Sequence, residues 1–277
     1  MTTAILLDDR GIIEIAGEEA GKFLHNLVTN DVASLKPGEA RFAALLTPQG
    51  KILFDFLVFV TGDGRYLLDC PLALAADLQK RLNIYKLRSK LTVTNRSDEF
   101  EAIAFPDESQ APKVEAVAIA ADPRGPLGFR AIAVKGKIPT NDCRKDYEAR
   151  RIHAGVPLGG VDFDYGATFP HEANMDLLSG IDFKKGCYVG QEVVSRMKHR
   201  GLVRKRVTKY HAQGGAPAPG EAIRAGDLEI GVTGSRLDEE GLAMIRIDRL
   251  GDALAAGATP VAAGAALSFE TGAAPPA

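Results

Sequence analysis

Cysteine is scarce in this chain: Cys70, Cys143 and Cys187 are the only three in 277 residues. They lie far apart, with no CxxC pair and no zinc-type spacing, so no resident metal site is predicted. The count excludes a disulfide scaffold and fits a reducing compartment. No run approaches the ~18 apolar residues of a membrane-spanning helix. The first ten residues reach Asp8 and Asp9 without a basic region followed by a long apolar stretch. No secretory signal is therefore expected, and the cytoplasm is the default location. Net charge is almost absent, −2 at neutral pH. The molecule as a whole makes no electrostatic case for nucleic acid or a lipid surface. No repeat of fixed period is found.

What is present is ordinary for a globular protein: 45% hydrophobic and 25% charged residues. The length suits one large domain or two to three smaller ones. Gly11–Gly17 reads as a short strand, and Glu18–Leu27 has helical spacing. Arg41–Leu46, Ile52–Thr61 and Tyr66–Cys70 read as strands separated by turns at Thr47–Lys51 and Gly62–Gly64. Pro71–Leu82 carries an apolar stripe at helical period. Leu91–Asn95 alternates as a strand, and residues 101–134 read as further short strands. Asp142–Ala154 and Pro170–Leu178 read as helices. From Val207 onward the pattern is short strands between glycines, an all-β unit, with a disordered tail at Gly272–Ala277. The chain therefore reads as α+β over residues 1–203, followed by a small β-rich domain over 204–277. Gln213–Gly220 is either a second boundary or a loop inside that last domain.

The most unusual string is Lys185-Gly186-Cys187-Tyr188-Val189-Gly190-Gln191-Glu192. Gly186 lets the backbone bend and approach a ligand closely. Lys184 and Lys185 place positive charge beside a single cysteine, an environment suited to a reactive thiolate. Such a thiol serves redox chemistry, a metal, or a covalent intermediate. An isolated cysteine is more often a small buried hydrophobe, but these flanks are foreign to a plain core segment. Between Lys184 and His211 stand nine Lys and Arg residues and one acid, Glu192. This run either faces an anionic ligand or partner, or is a solvated face balanced in space by acids elsewhere.

The octapeptide resembles the signature of the YgfZ group, folate-binding relatives of the glycine cleavage T-protein. Weaker matches support it along residues 4–250: Phe23–Val32, Leu46–Ile52, Arg151–Pro157 and Pro170–Met175. The resemblance implies a T-protein-like assembly of lobes around a central folate pocket, with a C-terminal β-barrel. It implies a tetrahydrofolate-dependent accessory factor for assembly or repair of iron–sulfur clusters. The partners would be client enzymes with [4Fe-4S] clusters, a radical-type tRNA-modifying enzyme among them, or assembly proteins.

By this resemblance Cys187 is the reactive residue, and Lys185, Tyr188, Gln191, Glu192, Arg196 and Asp55 are the folate-binding candidates. Tyr188 is assigned either to stacking on a pteridine or to the core. Gln191 and Glu192 are assigned to ligand or to backbone groups. Arg196 is matched to a carboxylate of the folate tail. Phe42, Phe54, Phe56, Phe169 and Tyr188 are the candidate flat surfaces. The aminomethyltransferases have two adjacent acids where this chain reads Phe54-Asp55, which argues against one-carbon transfer. A cluster normally takes four cysteine ligands, so one cysteine could only share it with a partner, a second copy or folate. Two alternatives stand beside this reading: a folate-dependent aminomethyl or methyl transferase, and a tRNA-binding module. The near-neutral charge and the lack of a nucleic-acid motif argue against the second.

Overall fold

The computed structural model describes residues 4–106 and 111–270. The predicted disordered tail lies outside them. Along the chain run β1 (Ile5–Leu7), β2 (Arg10–Ala16), α1 (Ala20–His25), β3 (Ala40–Leu46), β4 (Ile52–Val60), β5 (Tyr66–Pro71) and α2 (Leu72–Lys86). Then come β6 (Thr92–Asn95), β7 (Phe100–Phe105), β8 (Ala118–Ala121), β9 (Phe129–Val134), α3 (Arg144–His153) and α4 (Gln191–Arg200). The C-terminal part holds β10 (Lys205–Ala212), β11 (Ala222–Ala225), β12 (Leu228–Leu237), β13 (Glu240–Arg246), α5 (Ile247–Ala255), β14 (Val261–Ala262) and β15 (Ala265–Phe269).

These strands make three units. A five-stranded antiparallel sheet has the order β3-β4-β5-β2-β6, and a four-stranded sheet the order β1-β7-β9-β8. The third is a closed barrel, β10-β13-β12-β11-β14-β15. The five-stranded sheet is buried on both faces, which is why β4 reads as an almost unbroken apolar run. Its side chains still alternate. Phe54, Phe56, Val58 and Val60 join α1 and α2 in one core, while Leu57 and Phe59 join the four-stranded sheet in another. Period two puts Asp55 on the second face, with Leu57. Asp69 of β5 shares that face, since it pairs with Leu57 and its neighbour Leu68 belongs to the helix-side core. Both carboxylates thus point between the two sheets.

Two expectations are corrected. Pro170–Leu178 is a chain of turns, not a helix. Asn174 breaks it with φ of 59°, its side-chain amide donating to the Val207 carbonyl (2.8 Å) and its oxygen accepting from Arg206 (3.3 Å). The tertiary contacts to β10 outweigh local helical spacing. The C-terminal unit also contains a helix, α5, a short segment that buries Leu250 and Ala253 against the barrel. Gln213–Gly220 is a loop inside the barrel, held by the Ala216 N–H to Asp238 and the Gly220 N–H to Thr233.

Candidate functional site: an exposed cysteine and a buried charged slot

The octapeptide is a loop leading into α4. Its geometry is fixed from below. The Lys185 ammonium donates to the carbonyls of His25 (2.5 Å), Val28 (2.5 Å) and Asn30 (3.0 Å), the end of α1 and the turn that follows. Helix ends leave carbonyls without partners, and the lysine supplies them. Burial pushes this ammonium down to about 8, against the pull of Asp31 and Asp182. Asp182 in turn accepts the N–H groups of Lys184 (2.7 Å) and Lys185 (3.2 Å). Gly190 has φ of 82°, and a Cβ there would sit 2.7 Å from the Thr47 carbonyl oxygen. The loop therefore lands on the Thr47–Gly50 turn, a close approach that only glycine permits.

With its flanks fixed, Cys187 projects into solvent. Cys70 is buried, its thiol pushed up to about 12 by burial. Of the charges expected around Cys187, Lys185 is turned inward and only Lys184 stands exposed. Tyr188 is buried in the core between the sheets, with Lys185 5.2 Å from its ring centre. Gln191 opens α4. Glu192 and Arg196 pair with each other across one helical turn (2.5 Å), both exposed.

Asp55 lies elsewhere, in a slot lined also by Arg10, Arg124, Arg130, Arg144, Tyr147, Glu148 and Tyr165. One Asp55 oxygen accepts the Tyr165 hydroxyl (2.5 Å); the other has no hydrogen-bond partner among the described residues. Burial and the adjacent carboxylate hold the Tyr165 hydroxyl firmly protonated. Beneath it runs a buried ionic chain. Arg10 Nε and Arg130 Nη1 donate to the two oxygens of Asp69 (2.6 and 2.5 Å). Arg130 Nη2 donates to the Tyr147 hydroxyl (2.5 Å), and Arg124 makes a fork with Asp122 (2.9 and 2.6 Å). Asp122, fully buried beside Arg124 and Arg130, is held down at about 2 although its desolvation opposes this. The chain joins both sheets to α3.

None of the octapeptide residues or Arg196 lines this slot. Nor do the aromatics proposed from sequence: Phe42, Phe54 and Phe56 are in the cores, and Phe169 lies under the Lys51 ammonium (3.1 Å). The slot's own rings, Tyr147 and Tyr165, had no local signal; Tyr165 is 110 residues from Asp55. Part of the basic run is taken up internally, three of its nine cations in ion pairs. Arg206 forks onto Asp176 (2.9 and 3.1 Å), Lys209 meets Glu270 (2.9 Å), and Lys198 lies over Phe183 (3.5 Å). A second buried centre docks the barrel. Asp162 accepts from Arg151 (3.2 Å), the Leu158 N–H (2.7 Å), and the N–H and hydroxyl of Ser235 in β12 (2.6 and 2.9 Å).

Residues 7–114 match the GCVT N-terminal domain, and residues 204–266 match the CAF17 C-terminal beta-barrel domain. The iron-sulfur cluster assembly factor IBA57 of Mus musculus is 32% identical over 249 residues, covering 79% of this chain and 68% of that one. This chain belongs to the IBA57 family. The homologue from Mycosarcoma maydis is 34% identical over 218 residues, covering 72% of this chain; the chain spans about 54% of that relative's length. The resemblance to the YgfZ group is corrected accordingly: that group is related but distinct.

The glycine cleavage system aminomethyltransferase T from Bartonella henselae superposes with a TM-score of 0.76 at 16% identity, covering 97% of this chain and 85% of that one. The expected architecture, a T-protein-like α+β fold with a C-terminal barrel, is present. The cytoplasmic expectation is overturned, because these IBA57 relatives are mitochondrial proteins. Sparse cysteine fits any reducing compartment and cannot select among them.

Proposed function

We propose that this protein assists the assembly of iron–sulfur clusters on other proteins, with Cys187 as a transient ligand. The observation that carries the reading is an exposed thiol at the tip of a loop whose neighbours are locked inward. The cluster is cargo. Cys187 gives up its proton to solvent or to a base of the partner and lends one thiolate, and the partner or a second copy supplies the remaining ligands. Lys185 and Gly190 position the loop.

Tetrahydrofolate is the proposed cofactor. When bound it supplies a reduced pterin able to carry a one-carbon unit or give electrons. The slot fits it in kind. The unpartnered oxygen of Asp55 can accept an N–H and Tyr147 and Tyr165 offer rings, while Arg144 is forked onto Asp9 (2.8 and 2.7 Å). In size the slot is closed: its free volume is about 20 Å3, room for roughly one water. Entry requires Tyr165 or the Arg144–Glu148 pair (3.3 Å) to move. Asp55 holds the ligand in this scheme, while Tyr188, Gln191, Glu192 and Arg196 shape the cysteine loop and its helix.

The transferase alternative wants two adjacent acids where this chain has Phe54 and Asp55, and the slot's other carboxylates, Asp9 and Glu148, are paired with Arg144 and Arg151. The tRNA alternative loses three of the nine cations of its basic run to internal ion pairs. Radical-type tRNA-modifying enzymes remain proposed clients.

The test is deletion in the host, assay of a [4Fe-4S] enzyme, and rescue by wild type or Cys187→Ala. Rescue by wild type alone is expected. Equal rescue by Cys187→Ala would remove the thiol from the mechanism, and no defect on deletion would remove the pathway. Calorimetric titration with tetrahydrofolate tests the slot separately; Asp55→Asn is expected to weaken binding about tenfold, the loss of one charged hydrogen bond.

A further inference from the structure

At the end of α2 the backbone takes up a costly conformation as it turns toward β6. Leu87 has φ of 47° and ψ of −110°, and the Ser89 N–H donates to the Lys86 carbonyl (2.9 Å). This is a type II′ turn with leucine at its first central position, where glycine is the default. A side chain there strains the backbone. Glycine would make the same turn, and the Leu87 side chain is 85% exposed. Three residues earlier, in the last turn of α2, Ile84 is 58% exposed. Lys80, Arg81, Arg88 and Lys90 around them are exposed, Lys86 is half-buried, and none of the five makes an ion pair among the described residues. The acids in reach are Asp77, one turn back, and Glu19, whose carboxylate takes the Lys90 N–H (2.5 Å).

The position of this knuckle matters as much as its composition. Helix α1 links it to the cysteine loop: Glu19 at its start holds Lys90, and His25 at its end holds Lys185. Six residues of helix rise about 9 Å. Tyr85 and Val189, one from each segment, pack against the same core. A standard interface covers about 800 Å2 on each partner, a patch roughly 30 Å across, enough to take in both.

We infer that the Ile84–Leu87 knuckle is a docking surface for an acidic face of the protein that shares or receives the cluster at Cys187, an inference that rests on the function proposed above. The two apolar side chains form the desolvated centre, and the unpaired cations form a rim matched to carboxylates. An apolar centre in a charged rim is the arrangement in which a few residues carry most of the binding.

The experiment places a photo-crosslinking benzoyl-phenylalanine at position 87 of the full chain in its host, with position 134, also surface-exposed but on the other sheet, as control. The expected crosslink joins position 87 to an iron–sulfur assembly or client protein through a peptide rich in Asp and Glu, and persists with Cys187→Ala. In parallel, Leu87→Gly is expected to melt at or above the wild-type temperature while rescue of the [4Fe-4S] enzyme falls about fivefold or more. A residue kept for structure would do the opposite.

Crosslinking no stronger than at position 134, or only to a second copy, overturns the docking assignment. So does wild-type rescue by Leu87→Gly. Sedimentation with phosphatidylglycerol vesicles, or a tRNA gel shift, that Leu87→Gly abolishes would reassign the knuckle to lipid or RNA. If Cys187→Ala fails to rescue while Leu87→Gly succeeds, docking falls and the proposed function stands.

Discussion

Replacing Lys185 with methionine isolates what this ammonium does. Methionine keeps the apolar stem and deletes the donors. Three main-chain carbonyls then lose their partner. Hydrogen bonds to a charged group are worth about 1.5–3 kcal/mol each. Against this stands the desolvation that pushes the ammonium to about 8, worth up to about 3 kcal/mol and less after solvent screening at a half-buried site. The net expectation is a loss of about 2–4 kcal/mol, a fall in melting temperature of about 5–12 °C. Circular dichroism melts read the first effect.

The second effect is functional. Lys185→Met should fail to rescue a [4Fe-4S] enzyme at permissive temperature although Cys187 still reacts with a thiol reagent. Lys185→Arg should not restore it, because a planar fork cannot meet three converging carbonyls. A melting temperature equal to wild type would refute the reasoning. Water would then satisfy those carbonyls, and the lysine would be free to face a ligand.

Further outcomes follow from other contacts. Asp122 has its folded pKa below the unfolded 3.8, so the unfolded chain takes up the proton first. Its contribution, about 2 kcal/mol, is complete above about pH 4 and is lost as pH falls to about 2. Asp122→Asn should flatten that acid limb and cost about 3 kcal/mol at neutral pH by stranding Arg124, both read by urea titration across pH. Gly190→Ala should cost about 2 kcal/mol or more from strain and from the contact with Thr47, with loss of rescue as its functional readout. Asp162→Ala leaves Arg151 buried with one carboxylate partner fewer and frees β12 from its hold, so limited proteolysis should cut near Val203–Lys205 several times faster. An unchanged digestion pattern would show that the barrel is held by other contacts.

The cysteine loop was legible in the sequence because its constraints are local: two glycines around a cysteine, lysines beside it, and a string foreign to a core strand. Most strands were legible too, since period-two alternation and glycine turns are written within ten residues. The apolar run Ile52–Thr61 marked a strand; that β4 is covered on both faces is a finding of the structure. What only the tertiary structure decided is the direction of the charges. Lys184 and Lys185 look alike in sequence, yet one faces solvent and the other binds the end of a helix 155 residues or more away. Asp55 was visible as an acid among aromatics; its pairing with Tyr165, and the Arg10–Asp69–Arg130 chain beneath it, join residues 59 to 110 positions apart. Pro170–Leu178 kept helical spacing and lost the helix to Asn174's contacts with β10. Patterns of hydrophobicity are repeated locally and can be read from the chain; a buried charge is placed by a partner that folding alone brings near.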